Sequence, residues 1–336
     1  MNLWNIYHNS IPEFLQAAAA TVPMQRLKHI GMNCGCEYTS FPAFSTCEPY
    51  SRFEHSLGVA LIIWHFTNSK TQAMAGLLHD IATPAFAHVI DFLNGDYLLQ
   101  ESTESKTSEL IRGSSQLKDQ LEQYELTVED VEDYHQYPIA DNAAPMLSAD
   151  RLEYTLGNAV NFRIITQKQA WEYYQDLHIG KNEHGQDEIM FQDEEKAYIF
   201  AAAALRCSKI YVSDADRYAM QILAEILYGA LRSNVISEKD LYSTEEDVIH
   251  KLKESRYRTE WDTFCGYTEI EGCDKPMSQE KWRLIRSKKR FIDPYVDGKG
   301  RVSELFPQFN QDISAFKNMS LDYWILGRQV TKYKDS

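Results

Sequence analysis

Four side chains in this chain of 336 residues are of the kinds that divalent cations take as ligands: His55, His79, Asp80 and Asp150. Two neutral imidazoles with two carboxylates suit Mn, Fe, Ni or Zn, and Mg less well. His55 stands in the first turn of an apolar helical run, RFEHSLGVALIIWHF. His79 and Asp80 close a second run, AGLLHDI, just before Pro84 forbids the helix from continuing. That run is apolar up to the ionisable pair, and a buried carboxylate is costly unless it is paired or metal-bound. Asp150 opens a third, amphipathic run in LSADRLEYTLGN. Any one histidine is accounted for by a helix-end ring with a single hydrogen bond, and a His-Asp dipeptide alone means little in a chain with 10 histidines. The weight lies in the set and its apolar settings.

Helix neighbours lie about 100° apart, so His79 and Asp80 cannot share one face. At a helix C-terminus both can curl around one ion. His55 and Asp150 then arrive from other helices of a bundle, leaving open positions for water and a phosphate oxygen. A metal so held would lower the pKa of its water, neutralise phosphate charge and orient an in-line attack. Arg52, three residues before His55, falls on the same face and can clamp a phosphate with its planar fork; Arg151, beside Asp150, is a similar candidate. His88 is placed to protonate a leaving oxygen, with Asp91, three residues on, orienting its ring. For Arg52 the plain alternative is a salt bridge on the helix face, and for His88 a packed ring under Phe86.

The stretches MQRLKHIG, FPAFS, RFEHSLGV, GLLHDIATPAFAHVID and ADRLEYTLGN carry a resemblance. In order and spacing they resemble the HD superfamily of metal-dependent phosphohydrolases, and within it the deoxynucleoside triphosphate triphosphohydrolases of the SAM-and-HD-domain kind. The likeness covers roughly residues 11–158 well and 176–231 weakly. It implies one divalent metal on His55, His79, Asp80 and Asp150, and functional roles for Arg52, Arg151, His88 and Asp91. It also implies a sugar-side contact for Tyr154 and for the positions of Met32 and Asn33. The sequence departs from the family as well. A catalytic histidine three residues beyond the HD dipeptide is Thr83 here. A later histidine is missing from ESTESKTSE, where Glu101 or Glu104 can substitute. The sugar-gripping aspartate is Asn158, the sugar-gate tyrosine Phe200 and a phosphate-binding arginine Gln192.

The leading expectation is a phosphohydrolase acting on a nucleotide or related phosphate ester by attack of metal-activated water. Two others stand beside it. One is an HD-type di-iron oxygenase, against which Thr83 argues because the second iron needs extra histidines. The other is a catalytically weakened nucleotide-binding regulatory protein, motivated by the missing histidines.

The elements that must position these residues read as mainly α: an HD-domain helical bundle, a small β-hairpin and a mixed C-terminal appendage. Residues 1–175 are expected to form the metal-binding core, 176–235 a hairpin and long helices packed on it, and 236–336 the appendage. Helices are expected from Arg52 to about Thr67, from Thr71 to Asp80, again after Pro84 in AFAHVIDFL, over Ser102–Tyr124, from Thr127, over Asp150–Asn161 and over Gln167–Tyr174. LHIGKNEHGQDEIMFQ reads as a hairpin turning at Asn182–Gly185. Glu194–Leu231 reads as long helix broken near Ser213, and the runs from Ser237 and Ser243 as helix caps. KWRLIRSKKRF, residues 281–291, is the one strongly basic patch, either a solvated face or a strand facing phosphates.

Composition bounds the rest. With 44% apolar and 25% charged residues the chain is of ordinary soluble type. A net charge of -15 argues against an extended nucleic-acid or anionic-membrane surface while leaving room for a local basic pocket. The six cysteines fit no zinc or disulfide spacing and read as reduced thiols. No run has the length of a membrane span and no signal pattern opens the chain. The expected setting is cytoplasmic, the expected partner a nucleotide or other phosphorylated small molecule, and the alanine-rich helix and the family suggest a homo-oligomer.

Overall fold

A computed structural model describes residues 3–90, 106–276 and 281–329. Asp91, Glu101 and Glu104 lie outside them. The described helices are α1 (Trp4–Tyr7), α2 (Glu13–Ala19), α3 (Val22–Arg26), α4 (Arg52–Thr67), α5 (Lys70–Leu78), α6 (Thr107–Gly113), α7 (Ser115–Gln123), α8 (Ala149–Asn161) and α9 (Gln167–Tyr174). The hairpin β1 (Leu177–Lys181) and β2 (Asp187–Phe191) follows, then α10 (Glu194–Tyr211), α11 (Asp214–Arg232), α12 (Glu245–Lys253) and α13 (Arg258–Cys265). The C-terminal part adds β3 (Glu269–Cys273), β4 (Arg283–Leu284), β5 (Tyr295–Val296), β6 (Gly300–Arg301), α14 (Val302–Leu305), α15 (Pro307–Asn318) and β7 (Trp324–Arg328). The protein is thus mainly α, with two small sheets in strand orders β1-β2-β5-β6 and β3-β7-β4. No described helix is long and apolar enough to cross a membrane.

The organising element is α4. Ser51 caps it in a reciprocal box: its side chain accepts from the Glu54 amide, and Glu54 accepts from the Ser51 amide at 2.8 Å. From Arg52 to Ile63 every residue except Glu54 is buried, because α4 packs against α5 on one side and α8 on another. α8 starts at Ser148, whose hydroxyl accepts from the Arg151 amide at 3.3 Å. The loop before it is fastened by Glu188 of β2, a fully buried carboxylate that accepts from the Leu147 amide at 3.1 Å and from both Nη atoms of Arg301 at 2.6 and 2.7 Å. A C-terminal arginine and the hairpin together therefore set where Asp150 begins its helix.

Three expected elements come out differently. After Pro84 the chain first makes turns over residues 85–88, where Phe86 and Ala87 take left-handed φ angles of 63° and 47°, and helical backbone begins only at Val89; residues 91–93 of the expected helix lie outside the described residues. The Ala85 amide donates to Leu241 O at 2.7 Å and the Phe86 amide to Glu245 at 3.2 Å, so contacts with the C-terminal part override local helix propensity. The stretch expected as one helix to Tyr124 is broken at Ser114, which ends α6 and caps α7. At Thr127 no helix forms: Thr127 and Asp130 close a turn on each other. The long run after Glu194 breaks at Ser213 as expected, and Ser213 caps α11 by accepting from the Asp216 amide at 3.3 Å.

The loop over residues 31–39 is held by two acids, buried Glu245 and half-buried Glu37. Glu245 accepts from the Gly31 amide at 3.0 Å and from the Tyr38 hydroxyl at 2.8 Å. Burial, and then the neighbouring Glu245, push the Glu37 carboxyl up to about 8, and burial raises Glu245 too. Glu37 therefore keeps its proton in the folded state over a range where the unfolded chain has lost it. Its contribution to stability declines as pH rises from about 4.5 to about 8 and is level above that. Glu37→Gln removes this dependence, so its melting temperature relative to wild type is expected to rise between pH 5 and pH 8.5. Thermal unfolding at those two pH values checks it; a pH-independent difference would contradict it.

Candidate metal centre

The three helices bring the ligand candidates together. His55, His79 and Asp80 each offer an atom within 4.8 Å of the others. Asp150 Oδ1 lies 3.0 Å from His55 Nε2 and 3.8 Å from His79 Nε2. Asp80 Oδ2 lies 3.9 and 3.7 Å from the same two nitrogens. Asp80 follows the C-terminus of α5, as curling around one ion requires, while Asp150 stands in the first turn of α8.

The outward-facing atoms of both rings and of Asp80 are already occupied, which decides what the inward ones can do. His55 Nδ1 is 2.6 Å from the Glu153 carboxylate, and His79 Nδ1 is 2.7 Å from Gly76 O. With an acceptor on Nδ1, each ring carries its proton there and turns the Nε2 lone pair inward. Thr83 donates to Asp80 Oδ1 at 2.9 Å. Where the resembled family carries a further histidine, this chain has a hydroxyl that steadies a ligand carboxylate. Tyr134 packs on the His79 ring with centroids 4.8 Å apart. Two neutral imidazoles and two carboxylates, with the far sides of both rings and of Asp80 engaged, fit one divalent cation in charge and donor type.

Electrostatics agree. Burial opposes ionisation of Asp80, but Arg52, whose Nη1 donates to Oδ2 at 2.9 Å, and the two imidazoles hold it well below the usual carboxylate range. Burial also opposes ionisation of Asp150, yet the His55 hydrogen bond and charge bring it down to about 2. Without a cation, burial disfavours charge on the His55 ring, but its bonds to Asp150 and Glu153 prevail and raise it to about 10. The pocket thus attracts positive charge, and a metal would displace that proton.

Sequence reasoning missed Glu153, which supports the whole centre. It is 2% exposed. Besides His55 it accepts from the Tyr50 hydroxyl and, at 3.4 Å, from that of Tyr7. Both phenols are held far from ionisation, by burial and then by the Glu153 charge. Gly58 on α4 leaves room for this group: a Cβ there would lie 2.6 Å from Glu153 Cγ. The signal was present, since Glu153 follows Asp150 by three residues and so shares its helix face.

The centre opens into a cavity of about 260 Å³. Arg52, His88, Met32, Asn33, Tyr154 and Asn158 all line it. Asn158 donates to the Tyr211 hydroxyl at 2.7 Å, while its buried Oδ1 has no partner. Asp216, also on the wall, is pushed up to about 8 by burial. Two candidates lie elsewhere. Arg151 turns away to the 141–148 loop, bonding Asn142 Oδ1 and O at 2.6 Å each and Asp141 at 3.0 Å. Phe200 is fully buried in the core, its ring 5.2 Å from that of Phe191. Gln192 closes the end of the hairpin, its side chain donating to Asp176 O at 3.3 Å.

A family model described as the HD domain matches residues 52–221, half of the chain and all four ligand positions. The chain belongs to the HD domain family. It is 26% identical over 245 residues to an uncharacterised protein, YdhJ, of Bacillus subtilis, covering 72% of this chain and 71% of that one. It is 24% identical over 252 residues to the metal-dependent phosphohydrolase cns2 of Cordyceps militaris, covering 74% of this chain and 67% of that one. The crystal structure of a phosphohydrolase from Bacteroides thetaiotaomicron superposes with a TM-score of 0.66 at 15% identity, over 96% of this chain and 97% of that one, which shows the shared fold.

Proposed function

We propose that the protein is a metal-dependent phosphohydrolase acting on a nucleotide or related phosphate ester, with deoxynucleoside triphosphates the class to which the sequence resemblance points. One observation carries the reading. Two imidazole nitrogens and two carboxylate oxygens, with the far sides of both rings and of Asp80 engaged, converge on a cavity that also holds Arg52. The relative from Cordyceps militaris supports it through its description. When bound, a divalent ion supplies an acidified water and neutralises phosphate charge.

The chain's own residues do the rest. Arg52 is buried and held charged, since Asp80 outweighs the cost of burial. Its planar fork binds a non-bridging phosphate oxygen next to the ligands. His88 faces the same cavity and holds a proton for the leaving oxygen. Tyr154 and Asn158 follow Asp150 at four-residue steps, so a stripe about 12 Å long runs from the metal ligands along α8. The stripe accommodates the part of the substrate beyond the phosphate, with Asn158 Oδ1 as an acceptor for one of its hydroxyl or amino groups. Met32 and Asn33 form the facing wall. Closing the site with packed side chains limits the water that reaches the reacting phosphate.

The test is a phosphate-release screen over nucleoside mono-, di- and triphosphates and simple phosphomonoesters with Mn, Mg, Ni and Fe, with products identified by mass. Turnover that requires added metal is expected. Full turnover after complete metal removal would overturn the reading. For His88→Ala we expect a kcat lower by roughly 10²–10⁴-fold, the usual contribution of a general acid. Its metal content is expected to remain normal, as measured by plasma mass spectrometry.

A further inference from the structure

His88 serves the leaving oxygen from a stretch of backbone that its own sequence does not favour. It follows Phe86 and Ala87, two consecutive residues other than glycine with left-handed φ angles. Such angles are strained for a residue with a Cβ and persist only where the surroundings over-determine them. Whatever over-determines this pair also decides where His88 stands.

The hydrogen bonds of the backbone identify it. Between the ligand Asp80 and His88 the chain is not helical, and its peptide groups turn to distant partners. Ile81 O and Thr83 O accept from Arg26 Nη2 at 2.9 and 2.7 Å, while Arg26 Nη1 donates to Ser243 O at 3.2 Å. The Ala85 amide donates to Leu241 O, and the Phe86 amide, at the start of the strained pair, donates to Glu245 Oε1. The last of these partners is a side chain, and Glu245 lies outside the stretch that matches the family.

Glu245 opens α12, is 2% exposed and uses both of its oxygens. Besides Phe86, Oε1 accepts from the Gly31 amide, and Oε2 accepts from the Tyr38 hydroxyl. The buried Phe86 ring stands edge-on to Tyr38 at 6.1 Å between centroids and lies 6.3 Å from Trp261 of α13. One residue further on, the backbone of His88 bonds the Cys34 thiol. One carboxyl thus ties the turn that carries His88 to the loop that carries Met32 and Asn33. Glu245 itself is not on the cavity wall, so it acts on the reaction through backbone rather than by touching the substrate.

We propose that Glu245 is a positioning residue for the hydrolysis: its bond to the Phe86 amide fixes the left-handed turn and so aims His88 at the leaving oxygen. The inference rests on the phosphohydrolase reading above and adds to it a residue outside the metal centre. A general acid must stand within hydrogen-bond reach of the oxygen it serves, and a misplacement of about 1 Å can cost roughly 10²-fold in rate.

The test is a double-mutant cycle in kcat, run on the full-length protein with Mn and the phosphate ester that it turns over fastest in the screen above. Glu245→Ala is expected to lower kcat about 10²-fold with metal content unchanged. In the His88→Ala background the same substitution is expected to cost less than about threefold, because the group it positions is gone. Glu245→Gln keeps an acceptor oxygen for both amides and is expected to retain most of the activity. Melting curves establish that each variant is folded. Glu245→Asp, whose carboxylate falls one methylene short, takes the place of Glu245→Ala in the cycle if the alanine variant does not fold. Hydrogen exchange supplies a readout that needs no turnover: the peptide over residues 84–90 is expected to exchange about tenfold or more faster in Glu245→Ala or Glu245→Asp than in wild type. Equal losses of kcat with and without His88, a loss in Glu245→Gln as large as in Glu245→Ala, or unchanged exchange would overturn the proposal while leaving the hydrolase reading intact. Absence of turnover by metal-loaded wild type would overturn the hydrolase reading, and this inference with it.

Discussion

Replacing His55 by alanine is expected to abolish metal binding and phosphate release together, because three supports end at that ring. Its Nε2 faces Asp150 at 3.0 Å, its Nδ1 is held by Glu153 at 2.6 Å, and it stands 5.1 Å from the His79 ring, centroid to centroid. Removing a partner behind a metal ligand typically costs about 10–100-fold in affinity or activity. Loss of a ligand itself should exceed that, and Asp80→Ala and His79→Ala should behave alike. Asp80→Ala has a second consequence, leaving the buried Arg52 guanidinium without its carboxylate, so reduced stability is expected for it as well. Metal content after dialysis and turnover under saturating metal are the two readouts. A variant that lost activity but kept one ion per chain would place that residue outside the ligand set.

The second large effect is expected at Glu153, which no reaction step uses. Glu153→Ala would leave the Tyr7 and Tyr50 hydroxyls and His55 Nδ1 without their buried acceptor. Breaking a buried charged network of this kind costs about 3–5 kcal/mol, or roughly 10 °C in melting temperature for a chain of this length. Glu153→Gln keeps an acceptor oxygen but removes the charge behind the imidazole. It is expected to retain most of the stability while metal affinity falls by roughly 10–100-fold. The two variants thus separate the packing role from the orienting role. Equal metal affinity in wild type and Glu153→Gln would show that the carboxylate serves packing alone.

Much of this was legible in the sequence, for physical reasons that differ by residue. The ligand positions could be read because Ser51, Pro84 and Ser148 mark helix ends, and helix ends are where His55, Asp80 and Asp150 stand. The turns after Pro84 could not be read: AFAHVID has the composition of a helix, and only bonds to Leu241 and Glu245, more than 150 residues on, force the left-handed angles at Phe86 and Ala87. Arg151 shows the converse. Its position beside Asp150 suggested phosphate, but adjacent helix residues point about 100° apart, and the loop before α8 engages its guanidinium. Phe200 was placed by resemblance, and packing against Phe191 and Tyr173 puts it in the core. Lys288 and Arg290 were visible in a basic run, but nothing local to KWRLIRSKKRF says that it lines a cavity built by α4, α8, α10 and α11.

X-ray absorption on the protein loaded with one equivalent of Mn or Zn tests the proposed coordination itself. One ion per chain, bound by two imidazole nitrogens with the remaining ligands oxygen, is the expected result, and it should vanish in His55→Ala. An ion ligated by cysteine sulfur, or one whose two-imidazole signature survives in His55→Ala, would contradict it.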